Sequence, residues 1–553
     1  MTILRRSTHA PLYNRTMTPW RLTPLLLAVL ALALALPVLS LLGSWVGWND
    51  LSAQILAEMT RTVLPEYIGT SLGLCVGVGV GVVVLGMASA AWVTLFRFPM
   101  RGFWEWALLL PMAMPAYVLA YAYTDFLQFS GPLQVALRET LGLQGRVLPE
   151  IRSVGGAMMV FTLALYPYVY VLARAALAER ASPLMEAARM LGASGWRRFW
   201  RVAMPLACPA LAAGVALALM EVLADYGVSS YFGIQTFTAG IYKAWLAMDN
   251  RMAAAQLATL LLGAVALLLA WEKQARSRQR FASARPDRLG PESQPRQLQG
   301  GSAALVWLAC AVPVVLGFVL PVLILLHTLA RTELEWTWQG LRFAQWAWSS
   351  LSLSVATALL AVSLAWSLAA QERLSPGIWS RTAQGVVGLG YAMPGAVVVV
   401  GLLLPVGWLQ SARPEWGVGH WLTATVLGLL WAYLVRFVSV ALQTVQSGYQ
   451  RIPAAIDDSA RMLGVGSGRL IWRVHGPLLR RPLVAATLLV FVDVMKELPV
   501  TLVLRPFNTD TLAVMAHQLA RDERLGEAAL PALALVAVGL LPVILLSRAL
   551  RQR

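Results

Sequence analysis

Charge is scarce in this chain of 553 residues: Asp, Glu, Lys and Arg together make up 13 %, about half the ~25 % usual in soluble domains. The net +17, from 44 basic and 27 acidic residues, is not spread over a polar surface. It lies between long apolar runs in a sequence that is 58 % hydrophobic, which excludes a disordered chain and a nucleic-acid-binding one. Lysine is nearly absent. The three lysines, Lys243, Lys273 and Lys496, follow Tyr242, Glu272 and Met495. A GxxxxGK[ST] phosphate-binding loop needs Gly before its Lys, so this chain holds none. No polar stretch is long enough for a nucleotide-binding domain either. The three cysteines (Cys75, Cys208, Cys310) fall in apolar runs, and an odd number argues against a disulfide framework. Five histidines (His9, His327, His420, His475, His517) are scattered without metal-ligand spacing, so no dedicated metal site is expected.

What the chain has is apolar length. A helix needs about 20 apolar residues to cross the hydrocarbon layer. About twelve such runs are present: 24–46, 68–95, 104–127, 154–176, 207–228 and 252–271 in the first half, and 303–328, 350–370, 383–408, 421–441, 483–503 and 528–547 in the second. The first run is too long for a cleavable signal peptide and shows no small-residue cleavage site. Arginine placement orients the spans. With Arg5, Arg6, Arg15 and Arg21 in the cytoplasm, alternation puts Arg97/Arg101, 180–201, 272–302, Arg373/Arg381, 451–481 and the C-terminal Arg548, Arg551 and Arg553 on the same side. Both termini are therefore expected inside. Residues 1–271 and 303–553 form two hydrophobic modules, and the Arg-, Gln-, Ser- and Pro-rich stretch 272–302 reads as a flexible basic cytoplasmic linker.

The two modules are repeats. Residues 186–206, EAARMLGASGWRRFWRVAMPL, align without a gap on 458–478, DSARMLGVGSGRLIWRVHGPL, at an offset of 272. Arg189, Gly192, Trp200 and Pro205 recur as Arg461, Gly464, Trp472 and Pro477. A packed core has no reason to preserve this polar spacing twice. The pattern predicts a short helix with an acidic first turn, ended by a left-handed glycine and followed by an Arg-rich turn. The proline then stands at the foot of the next span. Such a helix would lie across the cytoplasmic mouth and present a face to a partner.

The same offset pairs Glu221 with Asp493 and Asp225 with Glu497, two carboxylates at i and i+4 on one face of each fifth span. Charges inside a bilayer usually face a cavity or a partner. The topology sets these four in the outer half, Asp225 and Glu497 near its outer face. They are either structural pairs, with Lys496 as one partner, or an outer gate favouring a cation. Gly73, Gly77 and Gly81 form a small-residue stripe suited to close helix packing. Pro111, Pro115, Pro394 and Pro405 are expected to kink or break spans.

The loop pattern Glu-Ala-Ala, three residues, Gly, nine residues, an aliphatic residue, one more, Leu-Pro resembles the EAA loop of ABC-importer permeases. The first copy matches at Glu186, Ala187, Ala188, Gly192, Val202 and Pro205, with Met204 for Leu; the second departs at Asp458, Ser459, Ala460 and Gly476 while keeping Gly464 and Pro477. Two further stretches, 221–245 and 491–514, resemble the fused two-module permeases of the ferric-iron class, and the likeness covers nearly the whole chain. The resemblance implies an all-α polytopic fold of the type I ABC-importer kind, two parallel six-helix repeats in a bacterial inner membrane. It implies that the chain catalyses nothing and binds no cofactor. Two copies of an ATPase subunit carrying ATP and Mg would dock on the EAA-type loops. A periplasmic binding protein would deliver substrate to external loops including 229–251 and 504–527. Thiamine, polyamine and phosphonate permeases share this layout. A gradient-driven carrier, many of which use inverted repeats, would have no reason to keep the loop pair.

Overall fold

The computed structural model describes residues 22–46, 50–178, 182–281, 296–332 and 336–551. Arg5, Arg6, Arg15, Arg21, Arg180 and Arg553, used above to orient the spans, lie outside them, as do residues 282–295 of the expected linker. The first half folds as α1 (Leu22–Gly43), α2 (Leu64–Leu95), α3 (Arg101–Ala107), α4 (Ala116–Leu127), α5 (Val154–Ala176), α6 (Ser182–Met190), α7 (Met204–Ala224), α8 (Gly227–Phe232) and α9 (Arg251–Phe281). The second half runs α10 (Gly301–Val314), α11 (Leu320–Arg331), α12 (Trp336–Leu374), α13 (Ile378–Gly388), α14 (Gly395–Ala412), α15 (Val426–Tyr449), α16 (Ala454–Met462), α17 (Gly476–Met495), α18 (Pro499–Leu504), α19 (Leu512–Arg521) and α20 (Leu525–Arg551). The fold is an all-α polytopic one built from two repeats. The 272-residue offset read from the loops holds for the starts of α5 and α15, α6 and α16, α7 and α17, and α8 and α18.

Each of the twelve apolar runs is helical, but only nine helices among the described residues are long and apolar enough to cross a membrane as they stand. The run 104–127 is not one straight helix: the chain bends by 88° between Arg101–Ala113 and Ala116–Leu141. The run 383–408 is likewise divided between α13 and α14. The cause is proline. Met114 and Met393 are extended, with ψ of 116° and 118°, as residues before proline tend to be. Pro115 and Pro394 then open α4 and α14 without needing a backbone N–H partner. The run 483–503 stops early, because α17 ends at Met495. Pro405 stays inside α14.

The glycine stripe serves packing, as expected. A Cβ on Gly77 would overlap the Met158 thioether, and one on Gly81 would overlap Thr162, so α2 and α5 approach more closely than larger residues allow.

Sequence modules and packing units do not coincide. One buried core joins α2 to α5 with residues of α10, α11, α19 and α20. The other joins α12 to α15 and much of α17 with α1 and α9. The outer spans are exchanged between the halves. Ser40 of α1 donates to the Gly401 carbonyl of α14, and Trp431 of α15 donates to the Ala33 carbonyl at 3.1 Å. In the mirror arrangement, Thr328 of α11 donates to Asp125 of α4 at 2.8 Å, and Tyr123 donates to the Leu316 carbonyl at 2.5 Å. The ends of the linker region are ordered, contrary to a uniformly flexible reading. Residues 272–281 extend α9, and Arg296–Gln297 pair as a short parallel strand with Phe96–Arg97.

Candidate functional site

The two repeated loops come out alike. Two residues past the end of α6 stands Gly192 with φ of 78°, and two past α16 stands Gly464 with φ of 75°, the left-handed conformation that favours glycine. Each closes with a paired carbonyl cap: Gly192 N donates to Arg189 O and Ala193 N to Ala188 O, while Gly464 N donates to Arg461 O and Val465 N to Ala460 O. A wide π-type turn follows at Phe199–Ala203 and Leu470–His475, and Pro205 and Pro477 stand in the first turn of α7 and α17. Glu186, Ala187 and Ala188 lie in α6, and Asp458, Ser459 and Ala460 in α16. Ala460 is buried and Asp458 is exposed, paired to Arg461 at 3.7 Å. The C-terminal ends of both helices present apolar pairs that a monomeric surface would hide. Met190 and Leu191 are 88 % and 87 % exposed, Met462 and Leu463 90 % and 83 %.

A feature the sequence reading missed sits behind the second loop. Asp457 is buried, its Oδ2 accepting from Arg373 Nε at 2.7 Å and its Oδ1 lying 3.0 Å from His475 Nε2. Burial alone would push the Asp457 carboxyl up, but the hydrogen bonds from Arg373 and His475 and the Arg373 charge outweigh it and hold the group below its ordinary value. His475, at the foot of α17, is fully buried.

Between the halves lies a cavity of about 440 Å³ that gathers all four candidate carboxylates, Glu221, Asp225, Asp493 and Glu497. Its wall includes Leu165 and Tyr168 from the middle of α5 and Arg436, Phe437 and Val440 from the middle of α15. The carboxylates are therefore level with mid-span, deeper than the expected outer face. Nor do they form two i, i+4 helical pairs. α7 ends at Ala224 and α17 at Met495, so only Glu221 and Asp493 are helical. Asp225 and Glu497 follow the breaks and cap the short helices behind them. Asp225 Oδ2 accepts from Val228 N at 3.0 Å and Ser229 N at 3.1 Å. Glu497 Oε2 accepts from Val500 N at 3.1 Å and Thr501 N at 3.2 Å, while its Oε1 takes Arg436 Nη1 at 2.7 Å.

Glu221 and Asp493 are exposed to the cavity, with no hydrogen bond or ion pair among the described residues. Lys496 makes no direct hydrogen bond to either; it donates to the Met112 carbonyl at 3.3 Å while its charge acts on Asp493 and Glu221 through the cavity. Four acidic side chains thus meet two basic ones, and both basic ones have a partner.

The segments expected as external docking loops are only partly external. The end of α8, in 229–251, and α19, in 504–527, fold back into the interior, where Ser229, Tyr231, Val514 and His517 are buried. Tyr121 and His517 Nδ1 are 2.7 Å apart there, a contact between halves that sequence reading did not find. Phe507, 93 % exposed, remains outside.

Two tandem stretches of the chain, 82–271 and 361–553, match the sequence model of the binding-protein-dependent transport system inner membrane component. The chain belongs to that family. The permease is 25 % identical over 538 residues to the Fe(3+)-transport system permease protein FbpB 2 of Haemophilus influenzae, covering 96 % of this chain and 98 % of that one. It is also similar over part of its length to two Escherichia coli proteins. The sulfate transport system permease protein CysT is 26 % identical over 210 residues, 37 % of this chain and 70 % of the relative. The molybdenum transport system permease protein ModB is 26 % identical over 165 residues, 27 % and 70 % respectively. Both family matches begin after the exchanged outer spans, at 82 and 361, so they cover the parts of each module that meet at the cavity and the loops. The permease is a multi-pass inner-membrane transport subunit.

Proposed function

We propose that this permease carries ferric iron inward, powered by two copies of a separate ATPase subunit and fed by a periplasmic binding protein. The observation that carries the reading is the end-to-end similarity to a double-length ferric permease. The cavity supports it chemically. Its two carboxylates without a hydrogen bond among the described residues, Glu221 and Asp493, offer hard oxygens suited to a hard cation. An oxyanion would face four carboxylates against two basic groups, Arg436, which is paired with Glu497, and Lys496, whose charge already acts on Asp493 and Glu221. Asp225 and Glu497 act in this reading as supports of the cavity wall rather than as gate residues. The exposed Met-Leu ends of α6 and α16 fit ATPase clefts, with both termini and the linker on the same cytoplasmic side. ATP and Mg stay on the ATPase, and this chain binds neither. When the ATPase dimer closes, the loops move with it and the cavity opens outward to take the ion. Hydrolysis returns it inward.

The test is uptake of labelled ferric iron by cells with and without the chain, alongside thiamine, putrescine, phosphonate and molybdate. Loss of iron uptake alone is the expected outcome, and Glu221→Gln with Asp493→Asn should reduce it at least tenfold while binding-protein-stimulated ATP hydrolysis persists. Unchanged iron uptake with loss of another solute would move the permease to that substrate and retire the carboxylate pathway.

A further inference from the structure

The two loop helices look equivalent from outside but are anchored differently. In the second module Asp457 gathers Arg373 from the C-terminal end of α12 and His475 from the turn leading into α17. Arg373 also donates to the Ile452 carbonyl at 2.9 Å, just before α16. Behind His475 the contacts continue: its Nδ1 is 3.3 Å from the Tyr449 hydroxyl at the end of α15, and Trp366 of α12 donates to that same hydroxyl at 3.2 Å. A single buried carboxylate therefore joins α16 to α12 directly and to α15 and α17 through His475. Tilting α16 away would leave the buried Asp457 carboxylate without its partners, which is strongly unfavourable.

Among the described residues the first module shows no such anchor. At the 272-residue offset Asp457, His475 and Tyr449 correspond to Met185, Ala203 and Leu177, none of which can make a charged contact. Its nearby ion cluster, Arg174 and Arg101 on Glu105 at 3.1 and 3.2 Å, ties α5 to α3 instead.

We propose that Asp457 is a positioning residue that bolts the second loop helix to its own spans, so that ATPase motion enters the permease stiffly through the second module and more loosely through the first. This rests on the ATPase-docking reading above.

The deciding variant transplants first-module residues, Asp457→Met with His475→Ala, which leaves no buried carboxylate stranded. In the permease reconstituted with its ATPase and binding protein, amide exchange over 454–462 should quicken at least tenfold while that over 182–190 stays unchanged. ATP hydrolysed per ion moved should rise severalfold in the assembled complex. Met185→Ala, the mirror change, should alter neither. If the double variant cannot be recovered folded, Asp457→Asn is read in the same way. Unchanged exchange over 454–462, or an unchanged ATP-to-ion ratio in an assembled complex, would overturn the proposal. Absence of ATP-driven uptake in the wild-type complex would count against the functional reading instead, and exchange in the permease alone would still decide the anchor.

Discussion

Glu497 and Glu221 show how differently two carboxylates of one cavity are used. Glu497 is almost wholly enclosed, its side chain 2 % exposed, and is held by Arg436 and by the backbone of α18. Arg436→Met should therefore destabilise the permease by about 3 kcal/mol, because it strands a buried charge. Glu221→Gln should change stability by no more than about 0.5 kcal/mol, as substitutions of unpartnered exposed groups usually do. Thermal unfolding of the detergent-solubilised variants measures both, and equal shifts would contradict this division. At this scale the sequence was half legible. The repeat offset identified all four acids but not which were free. That depends on helices ending at Ala224 and Met495, for which Gly227 and Pro499 are the local sequence signals. Arg436 was invisible for another reason: its counterpart at the offset is Ala164, so repetition does not flag it, and it meets Glu497 across 61 residues of chain.

The loop helices were the most legible elements. Their glycine ends and proline feet are local signals, and local hydrogen bonds satisfy the glycine ends. Glu186 and Asp458 do not stand in first turns as expected, since the helices begin four residues before them. Gly464→Ala must hold a side chain at φ of 75°, a strain of about 1 kcal/mol. If it loosens α16 as docked, ATPase affinity should fall about fivefold; co-elution titration of permease and ATPase would show it, and unaltered affinity would mean that the cap is not part of the docked shape. The spans were harder to read. Hydropathy sees an unbroken apolar run at 104–127 because the residues at the bend, Pro111 to Pro115, are themselves apolar. An 88° turn there costs no polarity that a window could detect. The buried anchor at Asp457 escaped for the opposite reason, since a charged residue in a polar loop looks solvated until Arg373 arrives from 84 residues away.

At the level of the whole molecule, the division into 1–271 and 303–553 describes ancestry of sequence better than packing. Each core contains spans of both halves, with α1 against α14 and α15 and α11 against α4. Residues 1–281 and 296–553 produced separately should fail to accumulate as folded protein, since each lacks part of its own core. Produced together, they should co-purify and restore uptake. Stable, monodisperse isolated halves would show that the exchange is dispensable. Nothing in composition or periodicity announces such an exchange, because apolar helix faces do not name their partners.

Joining the modules in one chain also frees the cavity from mirror obligation. A permease made of two identical subunits that acquired an arginine at the position of Arg436 would acquire it twice, and a lysine at Lys496 twice as well, cancelling every carboxylate at the centre. Here the first module keeps Ala164 and Ala224 at those positions, so one side supplies the counter-charges and the other does not. Duplication within a single gene let the passage keep an odd set of charges that no homodimer could encode.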